Sequence, residues 1–186
     1  MPFTDTPLHG CFIFEPRIFN DARGYFFESY SSRVFSEKQI SQCFVQDNQS
    51  YSCYGVIRGL HYQKGEHAQS KLIRVLQGRI MDAVVDLRVG SPSFGKSFAI
   101  ELSSENKKQL FIPKGFAHGF SVLSETAEIS YKCDQFYNKA SEGGLLFSDP
   151  GLKIDWGIPQ EKALVSEKDL ELPLFSPSLT DFKFAS

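Results

Sequence analysis

Three short stretches of this sequence place ionisable side chains among apolar residues that favour strands. They are residues 58–63, 68–74 and 113–119, and together they contain two histidines, two arginines and two lysines. Charged side chains on segments that otherwise have the pattern of core strands indicate a polar cavity enclosed by a barrel or sandwich. The residue types in such a cavity then indicate which chemistry it supports.

Three of these residue types suit the removal of a proton from a carbon next to a carbonyl group. Histidine titrates near neutral pH, so His61 could act as the base. Lys71 could stabilise the oxygen of the enolate, and the phenol of Tyr131 could return a proton to the opposite face. A carboxylate that is hydrogen-bonded to the second nitrogen of the imidazole would fix the tautomer of the histidine and stabilise the imidazolium.

A metal centre is a second hypothesis for the same residues. The spacing Pro113-x-Gly115-x-x-His118 matches the second conserved box of the cupin superfamily, whose first box contains His-x-His. Here the first box is incomplete, because residues 61–63 are His-Tyr-Gln.

A catalytic metal generally needs three protein ligands. His61 and His118, with His67 or Glu66, could supply them. A neighbouring lysine and arginine would repel a dication, which disfavours this hypothesis. The sequence therefore favours proton transfer without a metal and keeps a metal-dependent cupin enzyme as an alternative.

The composition is that of one ordinary globular domain. Of the 186 residues, 41% are hydrophobic and 23% charged. We expect a single domain over residues 1–186, with a core of about 12–150 and a tail, 151–186, that packs back on it. A net charge of −2 predicts no nucleic-acid partner. The sequence lacks a run of about 20 apolar residues, which predicts no membrane span.

The cysteines indicate the compartment. The four cysteines have no Cys-x-x-Cys spacing and follow no leader peptide. This pattern predicts reduced thiols and a cytoplasmic location.

Seven successive runs rich in β-branched and aromatic residues predict strands separated by brief turns. They are residues 56–63, 71–77, 80–88, 97–102, 110–113, 118–123 and 127–133. Successive strands without helical crossovers predict an all-β antiparallel sandwich or barrel with a few short helices. The best helix covers residues 32–40, and the apolar segment 11–15, which a proline ends, predicts an N-terminal edge strand.

The alternation of side chains along a strand predicts which polar residues can face the cavity together, and it does so for two pairs of residues. Gln46 and Asn48 share one face of their strand, where two amides could clamp a planar hydrogen-bonding group. Arg58 and His61 fall on opposite faces under strict alternation, but Gly59 lies between them. A bulge at Gly59 would turn both side chains toward one cavity, so we expect an irregular backbone there.

The sequence motifs also resemble those of a known family over about residues 12–170. The matching stretches are Phe14-Glu15-Pro16, Asp21-x-Arg23-Gly24-Tyr25-Phe26-x-Glu28, Phe44-Val45-Gln46-Asp47-Asn48, Arg58-Gly59-Leu60-His61-Tyr62-Gln63, Ala68-Gln69-x-Lys71-Leu72, Phe94-Gly95-Lys96, Ile112-Pro113-x-Gly115-Phe116-Ala117-His118-Gly119-Phe120, Tyr131-Lys132 and Ser166-x-Lys168-Asp169. The chain is similar to the dTDP-4-dehydrorhamnose 3,5-epimerase family and its relatives, which have a cupin-type jelly-roll fold.

The resemblance implies roles for the matching residues. His61 would be the base, oriented by Asp169, and Tyr131 the acid on the other face of the sugar ring. Lys71, with His118 close by, would stabilise the enolate at O4. The residues implied to hold the nucleotide are Arg23, Glu28, Gln46, Asn48, Arg58, Tyr137, Glu142 and Lys168, with Tyr137 stacked on the thymine. Neither an organic cofactor nor a metal is implied.

The same residues also have plainer interpretations. Arg23 and Glu28 flank one turn and could form a surface charge pair. Asp169 occupies the third position of a helix that Ser166 would cap. The chain departs from the family at residues 64–67, where a proline-containing segment is usual, so the loop beside the base could differ in mobility.

The implied function is epimerisation of dTDP-4-dehydro-6-deoxy-D-glucose at C3 and C5 to dTDP-4-dehydro-L-rhamnose. The resemblance further implies a homodimer with an exchanged N-terminal strand. The C4 ketone acidifies the hydrogens at both carbons, so one base could serve both. Relatives that epimerise one carbon keep nearly the same residues. A mono-functional 3- or 5-epimerase is therefore an alternative, as is a sugar-nucleotide binder without activity.

Overall fold

The computed structural model describes residues 2–184, which form mainly antiparallel strands. The strands are β1 (Phe3–Asp5), β2 (Phe12–Phe14), β3 (Phe19–Asp21), β4 (Gly24–Phe26), β5 (Gln46–Cys53), β6 (Ile57–Gln63), β7 (Lys71–Gln77), β8 (Arg79–Asp86), β9 (Ser97–Ser103), β10 (Gln109–Ile112), β11 (Phe116–Val122), β12 (Thr126–Cys133) and β13 (Glu142–Gly144). The α-helices in this range are short, α1 (Ser32–Ser36) and α2 (Glu167–Leu170). None of the described helices is long and apolar enough to cross a membrane.

Two sheets form a sandwich. The larger sheet has the order β1-β2-β10-β7-β12-β5, and the smaller has the order β13-β6-β11-β8-β9. A separate hairpin joins β3 and β4. Apart from the consecutive pairs β1–β2 and β8–β9, neighbouring strands in the two sheets are not consecutive in the chain, as in a jelly roll. The all-β jelly-roll prediction is confirmed, and the seven predicted strands correspond to β6–β12, with bounds that agree within two residues.

The main hydrophobic core lies between the sheets. Ile73 and Val75 of β7 meet Ile80 and Val84 of β8 in this core. Residues spaced by an even number along a strand share a face. Asp82 therefore faces the same interior as Ile80 and Val84, and it is fully buried.

The C-terminal part of the chain covers the outer face of the smaller sheet. Leu152 and Trp156 pack with Leu60 and Ala117 of that sheet. The indole Nε1 of Trp156 also donates a hydrogen bond of 2.9 Å to the carbonyl of Phe147. This packing brings α2 into contact with β6.

Two predicted elements differ from the structure. The strand predicted at residues 11–15 is not an edge, because β2 pairs with both β1 and β10 and all three of its residues are buried. The edge is β1, which is too short to show an alternating pattern. The helix predicted at 32–40 ends at Ser36, because Phe35 is its one buried residue and Gln39 has a left-handed φ of 63°.

Candidate active site

Two cavities that share part of their lining contain the motif residues. The first has a volume of about 450 Å³ and the second about 690 Å³. His61, Lys71, Tyr131 and Lys168 line both cavities. A ligand that bridges the two would therefore place its central part beside these four side chains.

His61 on β6 is paired with Asp169 of α2. The His61 Nε2 atom lies 2.8 Å from Asp169 Oδ1. Because a carboxylate can only accept a hydrogen bond, Nε2 carries the proton and Nδ1 keeps a lone pair. The histidine side chain is 43% exposed and the aspartate side chain 6%. The pair therefore offers a basic nitrogen of fixed tautomer, supported by a buried carboxylate.

The start of α2 holds Asp169 in place through its backbone and its side chain. The Asp169 backbone N–H donates to Ser166 Oγ at 3.2 Å, which makes Ser166 the N-cap. The second carboxylate oxygen, Oδ2, accepts from the backbone N–H of Gly59 at 3.3 Å. The capping interpretation of Asp169 and its pairing with His61 are thus both correct, because they use different atoms.

The backbone at Gly59 is irregular, as the alternation predicted. Gly59 has a φ of 120°, and the register between β6 and β11 shifts between His118 and Phe120. As a result, Arg58 and His61 both line the second cavity. A Cβ at Gly59 would lie 2.5 Å from the Cα of Gly119, so close approach of the two strands requires glycine here.

Lys71 and Tyr131 line the cavities from β7 and β12, which are paired strands of the larger sheet. Burial lowers the pKa of Lys71 below its ordinary value of 10.5, against the opposing effects of Cys133 and Asp82. Burial is also the main effect on Tyr131, whose pKa it raises above 10.0. The Tyr131 phenol is therefore protonated at neutral pH and can donate a proton.

His118 is held by the buried carboxylate of Asp82. The His118 Nε2 atom lies 2.9 Å from Asp82 Oδ2. The other carboxylate oxygen, Oδ1, is buried and has no hydrogen-bond partner among residues 2–184. His118 lines the second cavity together with Arg58, whose Nε donates to Ser52 Oγ at 3.1 Å. This cavity therefore has basic side chains on its inner wall.

The first cavity has a polar rim built around Tyr137. The Tyr137 hydroxyl donates to Glu142 Oε1 at 2.9 Å, and Lys168 Nζ lies 2.5 Å from Glu142 Oε2. The Lys168 ammonium lowers the pKa of the Glu142 carboxyl. On β5, Gln46 Nε2 donates to Asn48 Oδ1 at 2.9 Å, so these amides share a face as predicted. The rim offers hydrogen-bonding groups and an exposed aromatic ring.

Two predicted residues lie away from both cavities. Arg23 is in the β3–β4 turn, where its side chain is 90% exposed and 2.6 Å from Asp21 Oδ2. Glu28 lines a separate cavity beside Phe14 and Pro16. The charge pair suggested for Arg23 and Glu28 is not formed, because Asp21 is the partner of Arg23. All other residues to which the family resemblance assigns a catalytic or binding role line at least one of the two cavities.

Several lining residues were not assigned from sequence, and Gln69 and Lys139 are two that have long polar side chains. Gln69 lines the first cavity and donates from Nε2 to the carbonyl of Gln135 at 2.8 Å. It is two positions before Lys71 in a matching motif, a spacing that could have indicated it. Lys139 lines the same cavity but belongs to a short 3-10 turn, and no pattern in the sequence identifies it.

A third metal ligand is missing from the proposed set. The described part of the chain contains no cluster of three or more His, Cys, Asp or Glu side chains able to hold a metal ion. His61 and His118 each pair with an aspartate of their own. His67 instead contacts Asn138, with its Nε2 atom 3.1 Å from the amide nitrogen. The geometry therefore favours proton transfer by side chains over a metal centre.

Comparison of the sequence with known proteins gives one consistent result. The family model for dTDP-4-dehydrorhamnose 3,5-epimerase matches residues 5–177. The dTDP-4-dehydrorhamnose 3,5-epimerase of Shigella flexneri is 49% identical over 166 residues, which cover 89% of this chain and 91% of that protein.

Solved structures agree with the sequence comparison. The crystal structure of the Elizabethkingia anophelis dTDP-4-dehydrorhamnose 3,5-epimerase has a TM-score of 0.92 and 54% identity, and the match covers 96% of this chain and 98% of that one. A second structure is that of the Legionella pneumophila dTDP-6-deoxy-D-glucose-3,5-epimerase in complex with dTDP-4-keto-L-rhamnose. It has a TM-score of 0.92 and 42% identity, and the match covers 99% of this chain and 98% of that one.

Proposed function

The chain belongs to the dTDP-4-dehydrorhamnose 3,5-epimerase family, and we propose how its cavities carry out that family's reaction. The enzyme is an isomerase that epimerises dTDP-4-dehydro-6-deoxy-D-glucose at C3 and C5 to dTDP-4-dehydro-L-rhamnose. The observation that carries the proposed mechanism is the shared lining of the two cavities. His61, Lys71 and Tyr131 meet where the cavities adjoin, so the sugar ring lies there.

His61 acts as the base. The C4 ketone acidifies the hydrogens on C3 and C5, because the carbanion formed at either carbon is delocalised onto the ketone oxygen. Nδ1 of His61 accepts the proton, while Nε2–H remains bonded to Asp169. The buried carboxylate stabilises the imidazolium that forms, which raises the rate without a change in the carboxylate's own protonation.

Lys71 stabilises the enolate oxygen. The negative charge that leaves the carbon develops on O4, and an ammonium group in a partly buried site stabilises such a charge more strongly than water does. His118, fixed by Asp82, lies on the same inner wall.

Tyr131 acts as the acid. Inversion requires that the new proton arrive on the face opposite to the one from which the first proton left. The Tyr131 phenol transfers its proton to the enolate carbon, and the phenolate and imidazolium then exchange protons with solvent. The raised pKa of Tyr131 keeps the phenol protonated before each transfer.

The nucleotide occupies the outer part of the site. Gln46 and Asn48 offer amide groups that suit the edge of the thymine base, and the exposed ring of Tyr137 suits its face. Arg58 and Lys168 supply positive charge for the diphosphate. This assignment explains why the polar rim adjoins the catalytic residues.

The functional unit is a homodimer in which Arg23 and Glu28 serve the partner's site. In their own chain both residues lie away from the cavities, on or next to a hairpin that exposes Phe19, Tyr25 and Phe26. An exposed aromatic hairpin is suited to burial against a second copy. The edge strand β1 offers unpaired backbone groups to the partner's sheet. We place the enzyme in the cytoplasm, since its four cysteines are free thiols.

The test is incubation with dTDP-4-keto-6-deoxyglucose in D₂O, followed by NMR of the sugar. Deuterium at both C3 and C5, with formation of the L-sugar, is the expected result. Deuterium at one carbon would identify a mono-functional epimerase, and deuterium at neither, with the ligand still bound, would identify a binder. The His61→Ala variant is the control for exchange that the protein does not catalyse. Loss of exchange after treatment with a chelator would contradict the metal-independent mechanism.

A further inference from the structure

The segment that contains Tyr137 is tied to the connection between β6 and β7. We call residues 134–142 the nucleotide loop and residues 63–69 the connecting turn. The backbone N–H of Asn138 donates to Gln63 Oε1 at 2.8 Å, and the backbone N–H of Lys64 donates to the carbonyl of Ser141 at 2.8 Å. The nucleotide loop therefore takes its position from a turn that follows directly after the base-bearing strand.

A further contact in this set joins His67 to Asn138. The Asn138 Oδ1 atom accepts from the backbone N–H of Ala140 at 2.9 Å, which fixes the orientation of the amide. Its Nδ2 group must then donate to His67 Nε2, 3.1 Å away. His67 thus acts as an acceptor, and its neutral ring carries the proton on Nδ1.

Tyr137 is held from the other side by β5. Its backbone N–H donates to Gln46 Oε1 at 3.2 Å, and its hydroxyl donates to Glu142 Oε1 at 2.9 Å. Asn138, the next residue, is bonded to the connecting turn. The position of the Tyr137 ring is therefore set by β5 on one side and by the connecting turn on the other.

We propose that His67 is a positioning residue for nucleotide recognition, which acts through Asn138 to hold Tyr137 where the base stacks. This inference rests on the proposed function for the identity of the ligand. His67 lies outside the lining of both cavities, so it does not touch the sugar. It belongs to the connecting turn, so its contact with Asn138 joins this turn to the nucleotide loop.

The test compares the full-length protein with three variants, using dTDP as the probe in titration calorimetry and the dTDP-4-keto sugar in kinetics. His67→Ala removes the acceptor, and His67→Gln restores an acceptor through its side-chain carbonyl. Glu66→Gln is the matched control in the same turn, since Glu66 Oε1 lies 3.7 Å from His67 Nε2 and its side chain is 90% exposed.

We expect His67→Ala to bind dTDP roughly 3- to 10-fold more weakly, which is the effect of one hydrogen bond. KM should rise by a similar factor with kcat unchanged, and His67→Gln and Glu66→Gln should resemble the wild type. If His67→Ala does not fold, His67→Leu takes its place in the test, because leucine keeps most of the side-chain bulk but has no acceptor.

Three results would overturn the inference. They are unchanged dTDP binding in the folded His67→Ala variant, an equal loss in His67→Gln, and a fall in kcat with dTDP affinity unchanged. Failure of the proposed function is a separate result. In that case the wild type would exchange no carbon-bound hydrogen, while dTDP binding would still depend on the acceptor at position 67.

Discussion

Asp169 Oδ1 lies 2.8 Å from Nε2 of His61, although the two residues are 108 positions apart in the chain. The carboxylate belongs to a four-residue helix and the imidazole to a strand of the smaller sheet. Packing of the C-terminal segment on that sheet therefore completes the base. The predictions below follow from this pair and from the residues around it.

Replacement of Asp169 by asparagine should lower kcat by roughly 10²- to 10⁴-fold with little change in KM. The amide cannot stabilise the imidazolium, and it can orient the ring with the wrong nitrogen protonated. Steady-state kinetics measure the effect. Glu167→Gln, an exposed change in the same helix, should leave kcat unaltered. An Asp169→Asn enzyme with wild-type kcat would contradict the role of this carboxylate.

Tyr131→Phe should separate proton removal from inversion. His61 and Asp169 remain, so the variant should still exchange hydrogen with D₂O on the original face, while formation of the epimer falls roughly 10²- to 10⁴-fold. NMR of the sugar follows both processes in one sample. Tyr51→Phe, on an exposed position of β5, is the control. Equal loss of exchange and inversion would mean that Tyr131 is not the acid.

The rate should fall on the alkaline side as Lys71 loses its proton. Burial lowers the pKa of Lys71 below 10.5, so this ammonium loses its proton at a lower pH than an exposed lysine does. Stabilisation of the enolate is then lost as pH rises through the lowered pKa. In Lys71→Arg the charge persists, so the alkaline limb of the kcat profile should move to higher pH. If kcat falls over the same pH range in the wild type and in Lys71→Arg, deprotonation of Lys71 does not cause the alkaline fall.

Mixed dimers should reveal whether Arg23 serves the partner's site. As homodimers, the Arg23→Ala and His61→Ala variants should each have little activity at a low concentration of substrate. After unfolding and joint refolding, hybrid dimers contain one intact site, and activity should recover to about a quarter of the wild-type value. Arg33→Ala, an exposed change on α1, should behave as wild type. No recovery on mixing would show that the hairpin does not cross to the partner.

Gly59→Ala should destabilise the fold. The new Cβ would lie 2.5 Å from Gly119 Cα and 2.7 Å from the carbonyl of His118, so β6 and β11 would have to separate. Gly24→Ala is a matched control, because Gly24 also has a positive φ, of 128°, but no heavy atom within 4 Å of the added carbon.

The control should lose about 1–3 kcal/mol of the free energy of unfolding from backbone strain, and Gly59→Ala should lose more. Denaturant unfolding measures both variants. Equal losses would mean that close contact between the strands does not require glycine at position 59.

The boundaries of β6–β12 follow from the sequence because runs rich in apolar residues, which in several strands alternate with polar ones, are separated by turn residues, and both patterns are local. The shared face of Gln46 and Asn48 follows from the same alternation. The edge strand was assigned wrongly, since pairing of β2 with β1 and β10 depends on residues distant in the chain.

Residue types and motif spacing by themselves determined the all-β class and the candidate base, acid and enolate-binding lysine of this protein. The tertiary structure alone decided which groups meet: the bulge at Gly59 turns Arg58 toward His61, and the packed C-terminal segment brings Asp169 to the imidazole. It also placed Arg23 outside its own cavity. The physical reason is that side-chain chemistry and strand period are set within a few residues, whereas distances across the sandwich depend on how all the strands pack together.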